Sequence, residues 1–155
     1  MNRRKQIEMS PEEIDSFLNE ERVAIVSSFG PRGWPHSMPL WYVVRDGRIW
    51  AWTFRKSQKV VNLERDSRAT VLVEAGDEYA ELRGVQFETE VVFHNDPDEV
   101  VGFAEELTTR YAPAGEKPSP EAMEAFRSQA PKRAVLEFVP KRTMSWDHRK
   151  LGGVY

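Results

Sequence analysis

The chain has 155 residues, 40% hydrophobic and 30% charged, with a formal net charge of −3 and no cysteine, which suits one domain with a real core and excludes disulfide frameworks, thiolate metal sites and cysteine nucleophiles. Three scattered histidines point to no metal centre, and there is neither a basic block for nucleic acid nor an apolar run near the roughly 20 residues of a membrane span. The basic start has no apolar stretch behind it, so residues 1–9 are expected as a flexible segment ahead of a single domain at 10–155, in a cytoplasmic protein without a secretory signal.

Ser10-Pro11-Glu12-Glu13 forms a capping box and predicts a helix to about Glu20. Arg22 to Phe29 reads as a strand, and Gly30-Pro31-Arg32-Gly33 turns it into a second, Trp34 to Val44. Asp46-Gly47 favours a positive-φ turn between antiparallel strands, so Ile49 to Phe54 is the third. Ser57 stands where it can cap a helix striped by Val60, Val61 and Leu63, and Ala69 to Glu74 is the fourth strand. Ala80 to Phe93 reads as one long strand, its buried positions marked by Leu82, Val85, Phe87, Val91 and Phe93, with Gly84 a bulge or a close approach. Asp96-Pro97-Asp98-Glu99 opens a helix carrying Val100, Val101, Phe103, Ala104 and Leu107. The proline-rich loop from Ala112 to Pro120 then leads to a short helix over Glu121 to Gln129. Arg133 to Val139 is the last clear strand, with Arg142 to Trp146 a candidate extension beyond Pro140. Six or more antiparallel strands with few helices favour a closed or nearly closed barrel over a parallel sheet.

The nine glycines are dispersed among turns, so no glycine-rich nucleotide loop is present. Phosphate has another candidate seat where the third strand hands over to the helix at Ser57. Free backbone amides and the positive end of the helix dipole face outward there, beside Arg55, Lys56 and Lys59. The same junction reads equally as a solvated helix start with Ser57 as no more than a cap. Five tryptophans, Trp34, Trp41, Trp50, Trp52 and Trp146, can stack on a tricyclic ring or fill an interface, packing being the commoner role. Trp50 and Trp52 share one face of their strand, and Trp52 is the better ligand candidate. Of His36, His94 and His148, read first as surface residues, His148 is the one that can line a site. Glu105-Glu106 and the Asp96 to Glu99 cluster read as solvated helix positions, and Arg3-Arg4-Lys5 as a solubilising terminus or a lure for an acidic coenzyme tail.

The run Lys56-Ser57-Gln58-Lys59-Val60-Val61-Asn62-Leu63-Glu64-Arg65-Asp66-Ser67-Arg68 resembles the helix signature of the pyridoxamine 5'-phosphate oxidase-like FMN-binding split-barrel superfamily. Ser28 to Tyr42 resembles the first hairpin of that superfamily, and Leu82-Arg83-Gly84-Val85 its following long strand. The ending Arg142 to Gly152 is most similar to an actinobacterial branch, the flavin/deazaflavin-dependent oxidoreductases of the FDOR-B type. This resemblance implies a mainly β (α+β) fold, a six- to seven-stranded antiparallel split β-barrel with flanking helices. It implies an oxidoreductase using a bound 8-hydroxy-5-deazaflavin, coenzyme F-420, for hydride transfer to a small organic acceptor. FMN is the alternative cofactor, in a pyridoxamine-phosphate-oxidase-like enzyme. A non-catalytic flavin-, deazaflavin- or haem-binding protein is the alternative class.

Carried onto this chain, the resemblance puts Lys59, with Ser57 and Gln58 and beside Lys56, on the cofactor phosphate. It lays Ser37, Met38, Pro39, Leu40 and Trp41, together with Trp52 and Thr53, along the ring and ribityl chain. It also implies a homodimer with two sites at the interface, so that Tyr79, Trp146, His148 and Arg149 reach into the partner's site. His148, Tyr42 and solvent are the candidate proton sources. The basic and histidine pattern that true pyridoxamine-phosphate oxidases use for their pyridoxal substrate is not found, which counts against that activity.

Overall fold

Seven strands form one antiparallel sheet in the computed structural model, which describes residues 3–153. They are β1 (Ala24–Phe29), β2 (Pro35–Leu40), β3 (Val43–Arg45), β4 (Arg48–Phe54), β5 (Arg68–Ala75), β6 (Arg83–His94) and β7 (Arg133–Asp147). Their order across the sheet is β2-β1-β5-β6-β7-β4-β3. β2 and β3 thus lie at opposite edges, yet only Trp41 and Tyr42 join them. Three Cα steps reach at most about 11 Å, so the two edges must approach and the sheet curls into a split barrel with flanking helices.

Period-two alternation fills that barrel. Ala24 and Val26, Ile49 and Ala51, Val71 and Val73, Val85 and Phe87, and Leu136 and Phe138 all point inward and are buried in one cluster. The opposite face of β3, β4 and β7 carries Val43, Trp50, Trp52 and Val135. These pack under α4 (Pro97–Tyr111), which contributes Val100, Phe103 and Leu107, and next to α5 (Pro120–Gln129). Two further helices bracket the barrel, α2 (Pro11–Glu20) and α3 (Gln58–Arg65), and a short α1 covers Arg3–Gln6.

The capping box at Ser10 is present in full, and Asp46 and Gly47 both take positive φ, 50° and 70°, as their turn requires. The second predicted strand is broken in two because Tyr42 leaves the sheet. Its side chain is fully buried, its hydroxyl donates to the carbonyls of Leu18 (2.7 Å) and Glu21 (3.1 Å), and its amide donates to the Tyr111 hydroxyl (3.0 Å). The long strand predicted from Ala80 begins at Arg83, after a 3-10 turn over Tyr79–Glu81. β7 runs through Pro140 as one strand: Thr89 pairs with Pro140 and Glu88 with Arg142, so Lys141 bulges out where the proline cannot donate.

Met1 and Asn2 lie outside the described residues. The rest of the segment ahead of Ser10 runs beside the end of β7. The Asp147 amide donates to the Ile7 carbonyl (2.7 Å), the Met9 amide to Ser145 Oγ (3.0 Å), and Lys150 Nζ to the Glu8 carbonyl (2.7 Å).

Candidate cofactor site

β4 ends at Phe54 and α3 starts at Gln58, with Ser57 extended at the N-cap position (φ −70°, ψ 150°). The side chains of Ser10, Asp96 and Ser119 cap α2, α4 and α5, but Ser57 makes no cap bond, contrary to the reading of it as an ordinary cap. Its Oγ lies 3.4 Å from Thr53 Oγ1 instead. The Val60 and Val61 amides both return to the Ser57 carbonyl, at 3.0 and 3.2 Å. Among the described residues this leaves the Gln58 and Lys59 amides of the first turn without an acceptor. Thr53 is inward-facing and buried, and accepts a hydrogen bond from Lys59 Nζ at 3.1 Å. Among the described residues Lys59 forms no ion pair, and burial lowers its pKa from the ordinary lysine value. Two hydroxyls, two helix-start amides and an uncompensated ammonium suit a phosphate at this junction.

A polar network centred on the buried Asn62 and Ser28 holds α3 in place. Asn62 Nδ2 donates to Ser28 Oγ (3.1 Å), Gln58 Nε2 donates to Asn62 Oδ1 (2.8 Å), and Arg65 donates to the Phe29 carbonyl. Sequence reasoning missed Ser28 and Asn62. Ser28 continues the inward phase of Ala24 and Val26, and a serine in that row was the available signal. Arg55 is turned away to the carbonyls of Arg133 (2.8 Å) and Asn95 (2.9 Å), where it braces the barrel, while Lys56 is exposed.

The other predicted residues are dispersed. Ser37, Met38, Pro39 and Leu40 lie on the edge strand β2, where Ser37 Oγ meets Ser27 Oγ at 2.7 Å. Trp41 is 56% exposed and stacks on Tyr111 with centroids 4.3 Å apart. Trp52 does not share a face with Thr53. Its ring lies on the outer side of β4, edge-on to Phe126 at 6.0 Å with the Arg133 guanidinium 4.4 Å away, so helix packing occupies the expected ring ligand. Tyr42 is a core residue with its hydroxyl committed to two carbonyls, and burial drives its pKa far upward. That removes it from the candidate proton sources.

Tyr79, Trp146, His148 and Arg149 gather elsewhere. A Cβ on Gly84 would stand 2.4 Å from the Trp146 ring, so of the two readings of Gly84, bulge or close approach, it is the close approach. His148 Nδ1 is 2.9 Å from the Tyr79 carbonyl, and the two rings are 4.8 Å apart. Arg149 grips Asp147 through two bonds (2.9 and 2.6 Å), which lowers the carboxyl pKa and raises that of the guanidinium. Ser28 is level with Ala69 on β5, whereas Trp146 is level with Gly84 and, through it, Glu74. Five residues of strand separate those levels, about 17 Å.

An outer-face groove of about 360 Å³, lined by Ser27, Phe29, Arg68, Thr70, Glu88 and Lys141, was not foreseen. Among the described residues no cluster of side chains suits a metal ion.

The curled seven-stranded antiparallel sheet with its flanking helices defines an α+β split barrel. Residues 10–147 match the pyridoxamine 5'-phosphate oxidase family, and the chain belongs to it. A conserved hypothetical protein from Mycobacterium tuberculosis is 40% identical with a TM-score of 0.87, the match covering 98% of this chain and 93% of that one. Two more distant structures share the fold. An F-420 reductase is 18% identical (TM-score 0.62, 83% of this chain, 94% of that one). HutZ, the haem storage protein from Vibrio cholerae, is 12% identical (TM-score 0.66, 90% and 96%). Among curated proteins no match is found.

Proposed function

We propose that this chain is a cytoplasmic oxidoreductase that binds the 8-hydroxy-5-deazaflavin coenzyme by its phosphate at the β4–α3 junction, for hydride transfer to a small organic acceptor. Lys59 carries the reading: a half-buried ammonium beside two hydroxyls and an uncapped helix start, with no carboxylate neutralising it among the described residues. A phosphate there supplies the missing negative charge and accepts from the idle amides. When bound, the reduced ring supplies the hydride.

The protein's part is to bind, orient and move a proton. Lys59, Ser57 and the Gln58 and Lys59 amides anchor the phosphate, and the backbone of β2 up to Trp41 runs along the ring. The family's homodimer is part of the proposal. The Trp146 to Arg149 group, at the other end of β7 from the Ala134 that pairs with Thr53, serves the partner's site. His148 suits the proton step there. The Tyr79 carbonyl can only accept, so Nδ1 carries the hydrogen and Nε2 is left to take up or release a proton.

The deciding experiment is titration of the ligand-free protein with the deazaflavin coenzyme and with FMN, followed by a redox assay of the complex on organic acceptors. Tighter binding of the deazaflavin with turnover supports the proposal. Preference for FMN reassigns the cofactor, binding without turnover reassigns the protein to storage, and failure to bind either refutes the site.

A further inference from the structure

β3 pairs with only residues 48–50 of β4, so residues 51–54 of that strand face the β2 edge across an unpaired gap. α3 leaves the end of β4 and packs against β1, which closes the gap at one end. Met38 marks the opening from the β2 side. It pairs with the buried Val26 and shares its inward phase, yet it is 41% exposed.

His36 lies two residues back along β2, on the same inward face. It pairs with Ser28, which sets the two Cβ atoms about 4.5–5.5 Å apart. Ser28 Oγ accepts from Asn62 Nδ2 of α3 (3.1 Å), and Asn62 Oδ1 in turn accepts from Gln58, the first residue of that helix. His36 therefore stands at the α3 end of the gap, on the β2 side of the candidate phosphate seat. Its imidazole is partly buried, and among the described residues neither ring nitrogen has a hydrogen-bond partner, with Nδ1 sealed from solvent. His94 and His148, by contrast, each bond through one nitrogen. A hydrogen on the dry Nδ1 would be an orphan donor, so Nε2 carries it. An imidazole that the fold positions but does not bond needs an explanation other than packing.

We infer that His36 is a second ligand of the cofactor phosphate. Nε2–H donates to a phosphate oxygen from the β2 side, while Lys59 and the α3 amides hold the group from the helix side. The inference rests on the phosphate seat of the proposed function and adds what ties that phosphate to β2. A phosphate held from both walls fixes where the ribityl chain starts, and with it how far along β2 the ring reaches.

The test is fluorescence titration of His36→Ala and His36→Gln proteins with FMN and with the deazaflavin coenzyme, beside phosphorus NMR of the bound cofactor and thermal melts. His36→Ala should melt close to wild type, bind about tenfold more weakly and shift the phosphorus resonance. His36→Gln, whose amide nitrogen can donate from near the Nε2 position, should recover most of the affinity and the wild-type resonance. In the wild-type protein, nitrogen NMR should show Nδ1 without a hydrogen and the Nε2 signal moving as cofactor is added, a readout that needs no variant. Full affinity in a folded His36→Ala protein, a phosphorus resonance that stays put while affinity falls, or an Nε2 signal unmoved by bound cofactor would overturn the inference and leave the Lys59 seat standing. Failure of the wild-type protein to bind either cofactor would refute the seat itself, and the role of His36 with it.

Discussion

Replacing Lys59 with alanine separates a phosphate anchor from an ordinary helix-start lysine. Among the described residues the ammonium has one hydrogen-bond partner, Thr53 Oγ1 at 3.1 Å, and burial works against its charge. Removing it therefore strands no carboxylate and relieves a cost, so the ligand-free variant should melt at or above the wild-type temperature. A charge-assisted bond to phosphate contributes about 1.5–3 kcal/mol. At about 1.4 kcal/mol per tenfold, the cofactor should bind roughly ten- to a hundredfold more weakly. Fluorescence titration with the deazaflavin coenzyme and FMN, beside thermal melts in the same buffer, reads both quantities. Unchanged affinity in a folded Lys59→Ala protein would refute the assignment, and a large fall in melting temperature would show that the lysine serves the fold.

The same lysine predicts a pH dependence. With its pKa lowered, cofactor affinity should fall as pH rises through that value, earlier than an ordinary lysine near pH 10.4 allows. Ligand-free stability should rise over that window, because the unfolded chain keeps the proton longer; a flat affinity profile up to about pH 10 would contradict the phosphate contact. Tyr42→Phe should cost only about 1 kcal/mol, since Arg110 also donates to the Leu18 and Glu21 carbonyls at 2.9 Å and neither is orphaned. Melting should drop by about 2–4 °C with turnover intact, and lost turnover in a folded variant would restore Tyr42 as a proton source. Gly84→Ala should destabilise by about 1–3 kcal/mol and shift tryptophan emission, because the new Cβ meets the Trp146 ring. An unchanged melt and spectrum would mean that the ring does not rest on Gly84.

What could be read from the sequence was local. The Ser10 capping box, the Asp46-Gly47 turn and the punctuation around Pro140 all depend on residues a few positions apart, and each appears where its chemistry requires. Properties set by distant partners were not legible. Tyr42 has no strand-breaking character of its own; it leaves the sheet because Leu18, Glu21 and Tyr111 bind it. Trp50 and Trp52 were rightly given one face, but period two cannot say that α4 and α5 would cover that face. At the candidate site, residue type and position at a helix start do not by themselves separate Arg55, Lys56 and Lys59; the family resemblance is what singled out Lys59. Only the carbonyls of Arg133 and Asn95 show that Arg55 is engaged elsewhere.

β7 lies between β6 and β4 in the sheet, and its pairing with β4 joins residues far apart in sequence: Trp50 waits for Glu137, which the ribosome adds roughly eighty-five residues later. Until then β4 and β6 each present a bare row of backbone donors and acceptors, the kind of edge that recruits other chains. A nascent or truncated chain that stops before Arg133 is therefore expected to need chaperone protection or to aggregate.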